Sequence, residues 1–251
     1  MQDSLEYLEK KSFFDKVLTI YGRNAVLEAL EDTAITIHKL HLCTSNKDAS
    51  VLETMKKIAQ QRGIEVAYLD KQSLSRISKN AKQDQGVALD IVLEFFGDEK
   101  SFLEQHSTYH ILALDGINNP QNLGMIIRSA TAGAIDAILL PTKGSTQISP
   151  LVIKASVGTL FKMPIIKTSN LKKTLEEFRK HNTDIYTLNA NAKSNYKEEN
   201  YSDKVIFVLG NESDGVSKAI EKLSDKSISI PMQRGVESLN VAVTASLLAF
   251  L

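Results

Sequence analysis

The sequence predicts a two-domain α/β protein, a small mixed module followed by a larger domain on a mostly parallel sheet. Two observations predict it. From residue 109 onward, short runs rich in Ile, Leu and Val alternate with amphipathic stretches, the pattern of strands and the helices that cover them. Ahead of that, residues 98–108 form a polar stretch whose apolar content is the pair Phe102-Leu103, which marks a boundary. The length of 251 residues accommodates one large domain or two modest ones.

Residues 1–17 read as a polar tail, and residues 18–97 as the first module. Gly22–Leu30 has helical spacing through Val26, Leu27 and Leu30, and Ile35–Cys43 reads as a strand. Asp48–Arg62 is a helix with Val51, Leu52, Met55, Ile58 and Ala59 on one face, and Gly63 suits the position that ends it. Ile64–Leu69 and Gly86–Phe96 read as strands. After the 98–108 linker, the second domain spans residues 109–251. Its strands are Ile111–Leu114, Ala137–Leu140, Ile165-Ile166, Ile185–Leu188, Val205–Leu209 and Ile228–Ile230. Its helices run from Asn119-Pro120 to about Gly133, then over Pro150–Gly158, Leu171–Lys180, Val216–Leu223 and Leu239–Leu251.

Composition excludes several classes. The single cysteine, Cys43, rules out an intrachain disulfide and a multi-cysteine metal site. The five histidines have no zinc spacing, and His38 and His41 read as strand residues in an apolar stretch. No metal is expected. The N-terminus lacks a basic region followed by an apolar core, and the longest apolar run, Val241–Leu251, is too short to span a bilayer. A cytoplasmic protein with no membrane partner is the expectation. Lys and Arg together number 30, as do Asp and Glu, so net charge does not favour a nucleic-acid partner. Between Pro141 and Lys180, however, eight basic residues face only Glu176 and Glu177. That excess suits phosphates, or is a set of solvated helix faces.

Ligands of open α/β sheets bind beyond the carboxyl ends of the strands, so the segments that follow strands carry the functional signal. Three stand out: Asp115-Gly-Ile-Asn-Asn-Pro-Gln-Asn-Leu-Gly-Met-Ile-Ile-Arg128, Gly210-Asn-Glu-Ser-Asp-Gly215, and Ile230-Pro-Met-Gln-Arg-Gly-Val-Glu-Ser-Leu-Asn240. In the first, Asn119 caps a helix with Pro120 at its first position, and Leu123, Ile127, Ala130 and Ala134 form the buried stripe. Gly124 one turn before Arg128 leaves space beside a long cation, or is a packing glycine beside a surface residue. In the second, Gly215 suits a strained turn, and Glu212, read as facing inward, is a residue a plain turn does not require. In the third, Ser238 or Asn240 caps the last helix. Neither glycine-rich stretch has a dinucleotide fingerprint or a P-loop, which disfavours a dehydrogenase.

Taken in order, these segments resemble the SpoU (TrmH-type) RNA ribose 2′-O-methyltransferases. The resemblance rests on N-P-Q-N-L-G-x-x-x-R at 119–128, L-G-N-E-x-x-G at 209–215 and I-P-M…E-S-L-N-V-A-V at 230–243, with K-A-S-V-G at 154–158. The first module resembles the substrate-binding domain of longer members, through Tyr21–Leu30 and Gln85-Gly-Val87. The resemblance implies an α/β trefoil-knotted catalytic domain, S-adenosylmethionine as cofactor, an RNA substrate and a homodimer. It implies cofactor contacts at Leu209, Gly210, Ile230, Met232, Ser238 and Leu239. It implies functional roles for Asn122, Arg128, Glu212, Ser238 and Asn240. Two departures stand out: Gln233 and Arg234 precede Gly235 where the common pattern places glycine sooner, and the last helix stops at Leu251 where the family's continues.

Arg128 is the central residue of this reading. The family is described with this arginine as general base. Because a guanidinium holds its proton to a pKa above ~12, binding of the adjacent phosphate and stabilisation of alkoxide character is the alternative. In either role Glu212 is expected to orient Arg128 through a bidentate pair. The added N-terminal module points to ribosomal RNA as target. A tRNA ribose methyltransferase and a non-catalytic RNA-binding protein are the competing readings, and intact Asn122, Arg128 and Glu212 oppose the last.

Overall fold

A computed structural model describes residues 13–14, 16–33, 35–47, 49–78, 84–93 and 96–251. Most of the expected 1–17 tail lies outside the described residues. The chain forms two compact units, residues 1–94 and 95–251.

The first unit holds β1 (Val17–Tyr21), α1 (Arg23–Glu31), β2 (Thr36–Cys43), α2 (Ser50–Gln61), β3 (Glu65–Leu69), α3 (Lys71–Ser78) and β4 (Val87–Val92). Its strands lie in the order β1-β4-β2-β3, with β4 antiparallel to both neighbours and β2 parallel to β3. The amphipathic faces read from sequence are the ones buried: Val26, Ala29 and Leu30 of α1, and Leu52, Met55 and Ala59 of α2. Gly63 follows α2 at φ +65°, as its C-terminal position requires. Two elements are absent from the sequence reading. β1 buries only Ile20, and α3 has three serines and a single buried leucine, Leu74, so neither shows a strong apolar period.

Mid-sheet, the Asp90 carboxylate accepts from Thr19 Oγ1 at 2.6 Å and pairs with His41 Nε2 at 2.7 Å. Burial pushes the Asp90 carboxyl up, but the hydrogen bonds from His41 and Thr19 outweigh it and hold the group below its ordinary value. His41 is thus a buried strand residue with a carboxylate partner, and among the described residues no three His, Cys, Asp or Glu form a metal-binding group.

The second unit is an eight-stranded parallel sheet in the order β10-β12-β9-β11-β6-β7-β8-β5. Its strands are β5 (Phe96–Gly97), β6 (Tyr109–Asp115), β7 (Ala137–Pro141), β8 (Ile165–Thr168), β9 (Asp184–Leu188), β10 (Ser194–Asn195), β11 (Lys204–Gly210) and β12 (Lys226–Ser229). Its helices are α4 (Glu99–Gln105), α5 (Pro120–Ala132), α6 (Pro150–Ser156), α7 (Leu171–Lys180), α8 (Lys218–Glu221) and α9 (Val241–Ala249), with a 3-10 turn at Thr159–Lys162.

Strand alternation sorts the core into two faces. Ile111, Ala113, Ala137, Leu139, Ile206 and Val208 pack with Leu171, Leu175 and Phe178 of α7 and Ile220 of α8. The alternate residues Leu112, Leu114, Ile138, Leu140, Phe207 and Leu209 are equally buried and face the other way, where α5 touches β7 and α9 touches β11. Glycine sets how closely α5 packs. A Cβ on Gly124 would lie 2.5 Å from Ala155 Cβ and 2.7 Å from the Val152 carbonyl on α6. A Cβ on Gly133 would lie 2.1 Å from the Ala249 carbonyl at the end of α9.

The stretch 98–108 departs from the linker expected of it. Asp98 caps α4 by accepting from the Ser101 N–H, and Phe102 packs in the core beside Tyr109 and Phe178. One aromatic anchors the helix, which a reading based on overall polarity overlooks. The strand expected over Gly86–Phe96 is likewise divided: Val87–Val92 belongs to the first sheet, and Phe96–Gly97 pairs with β8 in the second. The helix expected over Val216–Leu223 shrinks to Lys218–Glu221. Ala134, expected on the buried stripe of α5, lies past the helix and is exposed.

Candidate active site

β6 and β11 are neighbours near the middle of the sheet, in a register that sets Gly210 beside Asp115. The loops that follow these strands therefore start side by side at the carboxyl edge. The loop after β11 is tight. Asn211 Oδ1 accepts from the Ser213 and Asp214 N–H groups, and Gly215 turns at φ +69°. A Cβ on Gly210 would lie 2.0 Å from the Gly215 carbonyl carbon, so the turn closes only on glycine. The loop after β6 enters α5 through Asn119, whose side chain accepts from the Gln121 N–H at 2.8 Å, with Pro120 in the first turn as expected.

Three of the expected functional residues meet here. Asn122 Nδ2 donates to Glu212 Oε1 at 2.9 Å, and Asn240 Nδ2 donates to the same oxygen at 3.0 Å and to Asn122 Oδ1 at 3.1 Å. Asn240 Oδ1 accepts from the Ala242 N–H and so caps α9. Asn240 thus fulfils its structural reading as a cap, and its amide N–H₂ is left to bond Asn122 and Glu212. Asn122 is buried, whereas Glu212, expected to face inward, is exposed. Asn122, Glu212 and Ile117 line a cavity of about 250 Å³ between the two loops.

The expected Arg128–Glu212 pair is not formed. Arg128 is exposed and has no carboxylate partner among the described residues, while Glu212 is engaged by Asn122 and Asn240. Helix geometry gives the reason. Arg128 lies six residues beyond Asn122 on α5, about 9 Å along the axis and about 240° around it, so both cannot face one carboxylate. Of the two sequence readings of Gly124 and Arg128, the structure matches the second: the glycine packs against α6, and the arginine is a surface cation.

Leu209, Gly210, Ile230 and Met232 all lie at the carboxyl ends of β11 and β12. These strands are not neighbours. β9 lies between them, which sets the two loops about 10 Å apart. The loop after β9, Asn189–Asn191, consequently occupies the same edge, with Asn189 N–H donating to the Ile228 carbonyl at 3.0 Å. Sequence reasoning missed it, although an apolar strand followed by Asn189-Ala-Asn191 is the signal applied elsewhere in the chain. Ser238 is exposed and Leu239 half-buried on the approach to α9. Neither they nor residues 230–232 line the cavity, which Asn122 and Glu212 line.

Residues 109–250 match the SpoU rRNA Methylase family, and residues 19–94 match the family of RNA 2′-O ribose methyltransferase substrate-binding domains. The chain belongs to the SpoU family. It is accordingly an RNA methyltransferase that uses S-adenosylmethionine, and its first unit is the RNA-binding module. A putative TrmH family tRNA/rRNA methyltransferase of Staphylococcus saprophyticus is 31% identical over 93% of this chain and 94% of its own length. An AdoMet-bound rRNA methyltransferase of Sinorhizobium meliloti superposes over 96% of this chain and 88% of its own, with TM-score 0.64 and 20% identity. A TrmH/SpoU tRNA-modifying enzyme of A. aeolicus covers 60% of this chain and 80% of its own, with TM-score 0.51 and 25% identity. These likenesses give the second unit the knotted α/β fold, an exception to the rule that chains do not thread themselves. Among the described residues, no helix is long and apolar enough to cross a membrane.

Proposed function

We propose that this SpoU-family chain methylates the 2′-hydroxyl of a ribose in structured RNA, with ribosomal RNA as the target. The observation that carries the reading is the Asn122–Glu212–Asn240 cluster: three side chains from three segments, converging beside the loops expected to hold the cofactor. Those loops suit S-adenosylmethionine chemically. The cofactor carries no phosphate, the edge has no phosphate cradle, and half-buried Ile230, Met232 and Leu239 offer apolar surface to a purine. When bound, it supplies a methyl group already activated on a sulfonium, which leaves as a neutral thioether.

The chain's own residues then have two tasks. The ribose oxygen must be held in line with the methyl carbon and sulfur, and the hydroxyl proton must leave as the new O–C bond forms and the C–S bond breaks. Asn122 and Asn240 orient the Glu212 carboxylate at the cavity, where its second oxygen accepts from a ribose hydroxyl or from the cofactor. Ser238 contributes a further hydrogen bond at the approach to α9. Arg128, exposed and without a carboxylate partner among the described residues, binds the phosphate next to the target ribose.

Ribosomal RNA is favoured over tRNA by the first unit: the tRNA-modifying neighbour matches only part of this chain, whereas the rRNA methyltransferase neighbour spans nearly all of it. A homodimer is part of the same proposal. α5, α6 and α9 leave Met125, Leu151, Val243 and Phe250 exposed, an apolar set that suits a second copy. Of the apolar residues of the last helix that the sequence offers to a dimer face, Val243, Leu247, Leu248 and Phe250, Leu248 packs internally instead. Sedimentation should give about twice the 27.8 kDa chain mass, and a monomer at micromolar concentration would exclude the dimer. The decisive experiment for the reaction is transfer from labelled S-adenosylmethionine to ribosomal RNA and to tRNA, followed by digestion and mass analysis of the nucleosides. A 2′-O-methylated nucleoside from ribosomal RNA is expected, and a base-methylated one, or transfer confined to tRNA, overturns the reading.

A further inference from the structure

We propose that the groove between α7 and α8 is a phosphate track, in which Lys172, Lys218 and Lys222 hold the backbone of the RNA strand that enters the site. The inference rests on the RNA-methyltransferase reading and adds to it a surface on the catalytic unit. The groove has a volume of about 430 Å³, and its remaining polar wall residue is Glu176. That carboxylate is shared with Lys172 at 3.5 Å. Lys218 and Lys222 have no carboxylate partner among the described residues, and both are exposed. They stand one turn apart on a single helical turn, where like charges repel and weaken the helix by a few tenths of a kcal/mol. The chain as a whole balances 30 basic against 30 acidic residues, so this cluster is not a by-product of a basic composition.

Its position gives the cluster a direction. At the far end of α7, Arg179 is neutralised by Asp225 at 3.0 Å and bonded to the Leu223 carbonyl. At the other end stands Lys218, which has no carboxylate partner among the described residues. Lys172 is in the first turn of α7, just beyond the carboxyl end of β8, and Lys218 directly follows the 211–217 loop. The Ser217 N–H donates to Asp115 Oδ2 at 2.7 Å and ties the start of α8 to the carboxyl end of β6. The same loop therefore has Glu212 and Asp214 at its head, beside the cavity, and Lys218 at its tail, in the groove. A phosphate is repelled by the head and attracted by the tail. A ribose hydroxyl suits the head. The loop thus sorts the two parts of a nucleotide strand, and α7 and α8 fix its path on the sheet face opposite α5 and α9.

The test measures RNA affinity of the full chain as a function of salt, with no methyl transfer required. Each phosphate contact contributes about 0.7–0.9 to the slope of log affinity against log salt. Lys218→Gln/Lys222→Gln should lower that slope by about 1.5 and weaken binding about tenfold. Lys218→Arg/Lys222→Arg should keep both, and Lys180→Gln, at the opposite end of α7, should change neither. S-adenosylmethionine affinity by calorimetry should be that of the wild type throughout, and no variant should melt below it, the double glutamine variant gaining slightly from the relieved repulsion. A wild-type slope in the double glutamine variant, or an equal loss in Lys180→Gln, overturns the track. Methylation found on a base would overturn the ribose reading and leave this slope comparison standing.

Discussion

Each unit of the molecule contains a polar cluster assembled from distant segments, and the two clusters are built in opposite ways. In the first unit, Thr19, His41 and Asp90 meet in mid-sheet on three strands, and every Asp90 oxygen is engaged from within. In the second, Asn122, Glu212 and Asn240 meet at the strand ends, around one oxygen of an exposed carboxylate beside a cavity. The first arrangement commits both carboxylate oxygens, and the ring atom it leaves without a partner, His41 Nδ1, is buried. The second is oriented by its neighbours and keeps donor and acceptor capacity for one. Buried polarity thus divides into stabilising and functional kinds according to whether the sheet or its edge holds it.

Substitutions should separate the two kinds. The largest effect is expected at Arg128, where Arg128→Ala should slow single-turnover methyl transfer by at least ~100-fold, within the range for a positioned electrostatic group. Arg128→Lys should be nearly as poor if the planar fork matters, and S-adenosylmethionine affinity should change little in either. Near-normal transfer by the alanine variant would remove Arg128 from the mechanism. Glu212→Ala should cost roughly 10–100-fold in the same assay, because it removes the acceptor that holds both asparagines. Glu212→Gln keeps an acceptor oxygen, so recovery of transfer in that variant would show that orientation rather than charge is what Glu212 supplies.

In the first unit the readout should switch from rate to stability. Asp90→Ala leaves Thr19 and His41 without their partner and should lower stability by about 1–3 kcal/mol in denaturant unfolding, with unchanged cofactor affinity. Because the folded Asp90 pKa lies below its unfolded value, its contribution is present above about pH 4 and is lost as pH falls through the folded value. The alanine variant should therefore lose less stability than the wild type on acidification, and parallel pH profiles would contradict the assignment. The smallest effect is expected at the helix cap: Asn119→Ala should cost about 1 kcal/mol through loss of the bond from the Gln121 N–H.

Most of the second sheet was legible because its strands are buried on both faces and read as unbroken apolar runs. Elements that hang on one residue were not: α4 depends on Phe102 and α3 on Leu74, and neither produces a periodic signal. At the site, sequence order brought Asn122, Glu212 and Asn240 onto one list, and the parallel register of β6 and β11 explains why they meet. The Arg128–Glu212 pair failed because motif membership says nothing about which side of a helix a residue faces. The Asn189–Asn191 loop was missed because only the strand order, with β9 between β11 and β12, reveals that it belongs to the same edge.

The separation along the chain of the partners in the Asn122 cluster has a kinetic consequence. Asn122 and Glu212 are 90 residues apart, and Asn122 and Asn240 are 118 apart. Closing such loops is entropically costly, and pairings between remote segments are what slow the folding of parallel sheets. The three side chains come together only after β11 has inserted between β9 and β6 and α9 has docked on α5. A chain halted before those steps contains β6 and α5 in full but no fraction of the cluster. Refolding followed by S-adenosylmethionine binding should therefore lag behind refolding followed by helix content, with the cofactor reporting the last event in assembly.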